Sequence, residues 1–397
     1  MNKQQVRFWL IPVLCLGLIA GTGSFSGSPV SKAAAAEEGK CGQGDHGLLQ
    51  SLKRQREGAD QDPLKFSDID FLSTSTGRAA GNGFLIGTSD SGCHWQEIYT
   101  GQWQFEQIEF PDNVKGWALA RAGESRNFNL IRTKDGGSKW AIVYTAGQSL
   151  QRIDVHNAET VVGYTRNAVY VTKNGGNAWA RIPTPPNTRA ALFPADGALK
   201  RGWAMTVKPG GGIRLMKTTD GGRHWNESLV VSEGIGGEIY SSGDQVWALV
   251  RGESGMSQVS YSLYASTNNG KTWTRVIAQS TAGGGPAPGS GKAVAERGPA
   301  NPGGHPGNLV ITDGAAYLTG GSPAGGKAGL GRSFNGGKTW SNIPATIAGF
   351  DAKIDFPAKK SGWLAVTNPD DAAIYFTKDG GVSWNIKFDL NGKKSEH

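Results

Sequence analysis

The sequence predicts an all-β chain folded as a seven-bladed β-propeller of four-stranded antiparallel blades, and three observations predict it. First, the pattern Ser/Thr-x-Asp/Asn-x-Gly-x-x-Trp occurs seven times: Thr88 to Trp95, Thr133 to Trp140, Thr172 to Trp179, Thr218 to Trp225, Ser266 to Trp273, Ser333 to Trp340 and Thr377 to Trp384. Second, the third position of this box advances by 45, 39, 46, 48, 67 and 44 residues, a spacing that suits one four-stranded unit per step. Third, the tryptophans follow the repeat. Of 13, seven sit in boxes and four (Trp117, Trp203, Trp247 and Trp363) hold a second recurring position, so nearly all Trp is expected to be core.

The residue types of the box suit a turn between two strands. An Asp or Asn side chain accepts hydrogen bonds from backbone N–H groups of its own turn, Gly supplies positive φ, and the Ser/Thr hydroxyl adds a local bond. The third position is Asp in four copies (Asp90, Asp135, Asp220, Asp379) and Asn in three (Asn174, Asn268, Asn335). Asn keeps the acceptor and loses the charge, so the position needs hydrogen bonding rather than acid chemistry or a cation. The box tryptophans, Trp95, Trp140, Trp179, Trp225, Trp273, Trp340 and Trp384, are expected to begin the return strand as buried anchors.

Each unit opens on an alternating strand, as in Ile69-Asp70-Phe71, Ile108-Glu109-Phe110, Ile153-Asp154-Val155 and Ile354-Asp355-Phe356. A second strand carries the recurring Trp, a third leads into the box, and a fourth starts at the box Trp. The units tile residues 64–388. The one long step contains a Gly/Pro-rich stretch, residues 280–308, expected to be an inserted loop. The first unit begins with its innermost strand and the last ends with its outermost, which leaves no strand over to latch the ring. Closure is expected to rest on packing, helped by residues 41–63.

Ahead of the repeat, residues 1–36 have the pattern of a signal peptide: Lys3 and Arg7, an apolar run from Phe8 to Ala20, and small residues Ala33 to Ala36. An extension follows over 37–63, with a short helix expected around Gly47 to Gln55, and a polar tail covers 389–397. Removing residues 1–36 takes away three cations and no acid, so the formal charge falls from +8 to +5. The expected location is secreted or extracytoplasmic, at the cell envelope, with no stable membrane span after cleavage and a monomeric state. In an oxidising compartment the two remaining cysteines, Cys41 and Cys93, are candidates for a disulfide that fastens the extension to the first box. Six histidines lie far apart without ligand spacing, so neither a metal nor a cofactor is expected. The modest charge and the core-bound aromatics argue against nucleic acid.

The box is that of the Asp-box, or bacterial neuraminidase, repeats. With a box in every unit and the strand pair typified by Phe110 and Gly116-Trp117-Ala118, the chain resembles the photosystem II stability/assembly factor family of seven-bladed propellers. The resemblance covers about Leu64 to Phe388. It implies a non-enzymatic assembly factor that holds a membrane-protein precursor through a basic surface. Sialidases, sortilin-type receptors and some endoglucanases carry the same box.

A catalytic site is not legible. Arg181-Ile182-Pro183 echoes a sialidase motif but follows a box instead of preceding the first, and Tyr99, Tyr144, Tyr170, Tyr264 and Tyr375 fall on outer strands. Asp70, Glu109, Asp154 and Asp355 recur on inner strands, where paired carboxylates of a glycosidase would lie, and where plain polar strand positions lie too. The better candidate is a face. Loops between second and third strands, and between units, carry Arg121, Arg126, Arg166, Arg189, Lys208, Arg251 and Arg297. Such a basic face suits an acidic segment of a protein partner or an anionic polymer. A scaffold is the expected function, with a carbohydrate-active propeller, hydrolase or lectin, as the alternative.

Overall fold

A computed structural model describes residues 41–55, 62–123, 125–145, 147–299 and 304–392. Residues 1–36, where a signal peptide is expected, lie outside the described residues, as does most of the tail. Among the described residues no helix is long and apolar enough to cross a membrane.

Apart from one short helix, α1 (Leu48–Arg54), and two single 3-10 turns, the regular structure is antiparallel sheet. The first sheet has six strands: β1 (Phe66–Phe71), β2 (Gly77–Thr88), β3 (Gln96–Glu109), β4 (Gly116–Ala122), β5 (Asn129–Thr133) and β6 (Ala141–Val143). Five four-stranded sheets follow. They are β7 (Arg152–Val155), β8 (Val161–Tyr164), β9 (Val169–Thr172) and β10 (Ala180–Ile182); β11 (Thr188–Leu192), β12 (Gly202–Val207), β13 (Ile213–Thr218) and β14 (Asn226–Val231); and β15 (Gly236–Ser242), β16 (Gln245–Gly255), β17 (Gln258–Ser266) and β18 (Thr274–Gln279). The last two are β19 (His305–Thr312), β20 (Ala315–Ser322), β21 (Lys327–Ser333) and β22 (Ser341–Ala348); and β23 (Ala352–Asp355), β24 (Gly362–Val366), β25 (Ala373–Thr377) and β26 (Asn385–Asp389).

Among the described residues the count of sheets is therefore six, against the seven blades expected. The cause is local. β3 runs without interruption through Gly101 and pairs with β2 by its first half and with β4 by its second, so two boxes share one sheet. β2 in turn folds back at Asn82-Gly83, where Gly83 adopts φ 89° and Gly87 lies against the Gly77 carbonyl.

Inner strands follow one another in the order β1, the second half of β3, β7, β11, β15, β19 and β23, and β23 returns to β1; all of them but β11 line a central channel. Between neighbouring sheets the recurring Trp of one meets the box Trp of the next. Trp203 and Trp273 have ring centroids 6.1 Å apart, Trp247 and Trp340 6.4 Å, and Trp363 and Trp95 6.1 Å. Trp117, Trp203, Trp247 and Trp363 are fully buried. The box tryptophans are not, which corrects the expectation that both sets are core. Among them Trp95 is buried, and Trp140, Trp179, Trp225, Trp273, Trp340 and Trp384 are half-buried. The box Trp precedes the outermost strand, so one side of its indole meets solvent.

Each box makes the bonds its residue types suggest. In the fourth, Thr218 Oγ1 donates to Asp220 Oδ1 (2.9 Å), the Gly222 N–H donates to Thr218 Oγ1 (2.9 Å), and the His224 N–H donates to Asp220 Oδ1 (3.0 Å). Asn268 and Asn335 accept the equivalent N–H at 2.9 Å, so the carboxylate charge is dispensable to the turn.

The extension supplies the ring's closure. Cys41 and Cys93 form a disulfide, and the strand-like stretch between Cys41 and His46 lies between β26 and the first box. The Gly44 N–H donates to the Lys387 carbonyl (2.9 Å), the Trp95 N–H to the Gly44 carbonyl (3.0 Å), and the buried Lys387 Nζ to the Cys41 carbonyl (2.6 Å). Leu48, Leu49 and Leu52 of α1 pack with Phe66, Trp95, Phe388 and Leu390. The Gly/Pro-rich insert is folded onto the outer edge of the third four-stranded sheet: Ile277 bridges Ala295 in parallel, and Arg275 donates to the Ala287, Pro288 and Gly291 carbonyls. Its expected C-terminal end differs, since β19 begins at His305 and takes residues 305–308 into an inner strand.

Candidate binding face and central channel

The inner strands alternate apolar residues toward the core and polar ones toward the channel. The channel is a cavity of about 720 Å³. Its walls carry Asp68, Asp70, Glu106, Glu109, Glu238, Asp351 and Asp355 against Arg152, Arg251 and Lys353, so it is predominantly acidic.

Most of these acids do not face each other as a free pair. Four of them reach the backbone of a neighbouring inner strand or its end. Asp355 Oδ2 accepts from the Phe71 N–H (2.7 Å), Asp70 Oδ2 from Phe110 (2.6 Å), Asp68 Oδ2 from Ile108 (2.9 Å), and Glu109 Oε2 from Val155 (2.5 Å). Gln107 and Asn308 make the neutral version of the same bond, to Ile153 (2.9 Å) and Ile354 (3.0 Å). Asp154 differs: its carboxylate accepts from the Tyr164 hydroxyl (2.7 Å), which itself accepts from the Phe193 N–H (3.1 Å). The side chains thus stitch neighbouring inner strands together, within the first sheet at Asp68 and Asp70 and between sheets at Glu109, Asp355, Gln107 and Asn308.

Burial pushes the Asp70 carboxyl up to about 8, with the nearby Asp355 charge adding to the effect. Asp68 and Asp355 rise to about 6 for the same first reason, although Lys353 opposes the shift at Asp68. Glu109 is raised well above the ordinary carboxyl range, by burial and then by Asp154. Backbone N–H bonds lower all four, and burial outweighs them.

Sequence periodicity pointed to Asp70, Glu109, Asp154 and Asp355, but not to the residues two positions earlier. Asp68, Gln107, Arg152 and Lys353 share the channel face because strand side chains repeat every second residue, and that spacing is the signal that would have found them. A second set was also missed. Arg132, Lys217 and Arg332 each stand directly before a box Ser/Thr and donate to a carbonyl of the next box, at Gly175 (2.5 Å), Asn269 (2.8 Å) and Gly380 (2.6 Å).

The basic-face residues fall into three groups. Arg166 and Arg189 are exposed and line a second cavity of about 360 Å³ beside the channel, together with Arg152, Tyr164, Tyr240 and Glu238. Arg121 and Arg251 are engaged: Arg121 lies 3.7 Å from Glu106 and over the Phe128 ring, and Arg251 binds Glu238 through Nε and NH2 at 3.2 and 2.9 Å. Arg126, Lys208 and Arg297 line neither cavity. Among the described residues, no group of three or more His, Cys, Asp or Glu side chains is placed to hold a metal ion.

Antiparallel four-stranded sheets around a common channel define the chain as an all-β propeller. Its likeness to solved propellers is one of fold. A structure of YCF48 bound to a D1 peptide matches with a TM-score of 0.50 and 18% identity, over 81% of this chain and 96% of that one. A GH74 xyloglucanase from Xanthomonas campestris matches with a TM-score of 0.52 and 14% identity, over 82% of this chain and 55% of the enzyme. A prolyl endopeptidase matches with a TM-score of 0.53 and 9% identity, over 85% of this chain and 51% of that one. No protein-family model and no curated protein matches the sequence.

Proposed function

We propose that the chain is a secreted, non-catalytic Asp-box propeller of seven repeat units, acting as a scaffold that binds an acidic segment of a protein partner beside its central channel. The unit count rests on the seven boxes, two of which fall in the six-stranded sheet, where β3 pairs with β2 by its first half and with β4 by its second. Secretion is supported by the N-terminal pattern and by the Cys41–Cys93 disulfide, a bond that persists in oxidising compartments. A scaffold role accords with channel carboxylates that are spent on backbone amides. The likeness to YCF48 bound to a D1 peptide is consistent with a protein ligand.

The observation that carries the reading is the second cavity. It places the exposed Arg166 and Arg189 next to Arg152 and two tyrosines, with Glu238 as the one acid in its lining. Guanidinium forks there are suited to carboxylates of an extended segment. The test compares the mature chain with Arg166→Glu/Arg189→Glu on a peptide array spanning acidic and neutral sequences and on a glycan array. Acidic peptides should bind, and reversal should weaken them by about tenfold or more. Glycan binding that survives reversal, or release of reducing sugar, would overturn the reading in favour of a carbohydrate-active propeller.

A further inference from the structure

On each second strand, the residue after the one that pairs with the box Ser/Thr holds a fixed place in the repeat. Gly116 pairs with Thr133, Gly202 with Thr218, Gly362 with Thr377 and Val246 with Ser266, and the next residues are Trp117, Trp203, Trp363 and Trp247. Tyr317 and Val162 hold the same place in the remaining four-stranded sheets. In the first unit it is Arg78, the one charged residue of the set.

Arg78 is 6% exposed, so its charge sits where the other units bury an aromatic or aliphatic side chain. Its guanidinium carbon is 3.9 Å from the Phe110 ring centroid. Nε donates to the Gly136 carbonyl (3.1 Å) and NH2 to the Asn113 carbonyl (2.6 Å), while the buried NH1 has no hydrogen-bond partner. Among the described residues Arg78 makes no ion pair. Burial disfavours the Arg78 cation, and the charges of Asp70 and Asp112 offset this only from beyond ion-pair distance, so an anion in direct contact would remove more of that cost.

A cavity of about 420 Å³ adjoins it between the first box and the turn before β4. Besides Arg78 its lining includes donors on Ser89, His94, Gln96 and Asn113. Asp90, the carboxylate there, is already engaged, with Oδ2 2.6 Å from His94 Nδ1 and Oδ1 accepting from the His94 N–H and from Thr88 Oγ1. We propose that this cavity is an anion site in which Arg78 receives a single oxyanion group, a carboxylate or a phosphate. The site lies at the box end of the sheets, apart from the second cavity, and does not depend on the peptide-binding reading.

The test is a thermal melt of the mature chain titrated with sodium phosphate and, separately, sodium acetate at constant ionic strength. Wild type should gain melting temperature saturably with at least one anion below about 50 mM, as expected when a ligand binds only the folded state. The anion that acts identifies the source. Arg78→Trp restores the residue used by four other units and should abolish the response, and Arg78→Met, which keeps the stem on Phe110, serves where the indole does not fit. A wild-type response shared by the variants, or no saturable response to either anion, would overturn the proposal.

Discussion

The seam between the last sheet and the first differs from the seam between β11–β14 and β15–β18, although both are built from the same repeat. In the internal seam Trp203 is fully buried and its partner Trp273 is half-buried, with Nε1 donating to Ser228 Oγ (3.1 Å). In the closing seam Trp363 stacks on Phe71 at 4.1 Å, and its partner Trp95 is buried as well. The extra cover is the Cys41 to His46 strap and α1. An internal seam is held by chain connectivity across adjacent units, whereas the closing seam joins the two ends of the repeat and has no such link. The molecule adds a covalent tie and a small helical core where connectivity is missing.

The largest expected effect follows from that difference. Trp363→Ala should cost about 3–5 kcal/mol, the range for emptying a fully buried aromatic site. Trp273→Ala should cost about half as much, because part of its surface already meets water. Denaturant melts followed by circular dichroism measure both, and equal costs would break the distinction between inner and box tryptophans.

Removing the tie comes next. Cys41→Ser/Cys93→Ser should destabilise by about 2–4 kcal/mol, given a loop of 52 residues closed in the unfolded chain. The comparison sharpens in a double-mutant cycle. The cysteine changes should couple to Trp363→Ala and add simply to Trp203→Ala, since only the former shares the strap's neighbourhood. Additivity at both seams would mean that the disulfide acts through the unfolded chain alone.

How much of this was legible in sequence depends on which contacts are local. The box turn closes within eight residues, so its residue types announce it and Asp and Asn prove interchangeable. The sharing of one sheet by two boxes turns on β3 running on through Gly101, and spacing alone treats that step like any other. Trp95 and Trp225 look identical in their boxes. What buries one and not the other is the strap arriving from 50 residues upstream. The channel acids were placed on the right strands, but the partners of Asp70, Glu109 and Asp355 are backbone amides at the next inner strand, which leave no mark in composition. Arg166 and Arg189 share a cavity because β8–β9 and β11 meet across a seam, a proximity that no periodicity encodes.

The smallest effect concerns the acids, and it separates the closing seam's inner edge from an ordinary box. Asp355 grips Phe71 across that seam, and Asp70, which repels it, sits one seam on. An ordinary aspartate titrates near 4 in the unfolded chain, and Asp70 titrates near 8 in the folded one. Between those values the native state holds the proton that the unfolded state has lost, so stability falls as pH rises from about 4 to about 8 and levels off above. Asp355 and Asp68 extend the same trend up to about 6. Asp70→Asn keeps an oxygen for the Phe110 N–H and removes the charge. It should flatten the pH dependence and raise stability at pH 8 by about 1–2 kcal/mol, less than the full shift because channel water screens the carboxylate. In the fourth box the sign reverses. The His224 backbone N–H and then its side chain hold the Asp220 carboxyl below the usual range, so Asp220→Asn has no raised carboxyl to relieve. Since Asn serves in three boxes already, that change should leave the melting curve where it was at pH 8. A melt series from pH 4 to 9 on the two variants decides the matter: a wild-type curve that rises toward pH 8, or an Asp220→Asn gain as large as that of Asp70→Asn, would show that the inner ring does not carry the strain assigned to it.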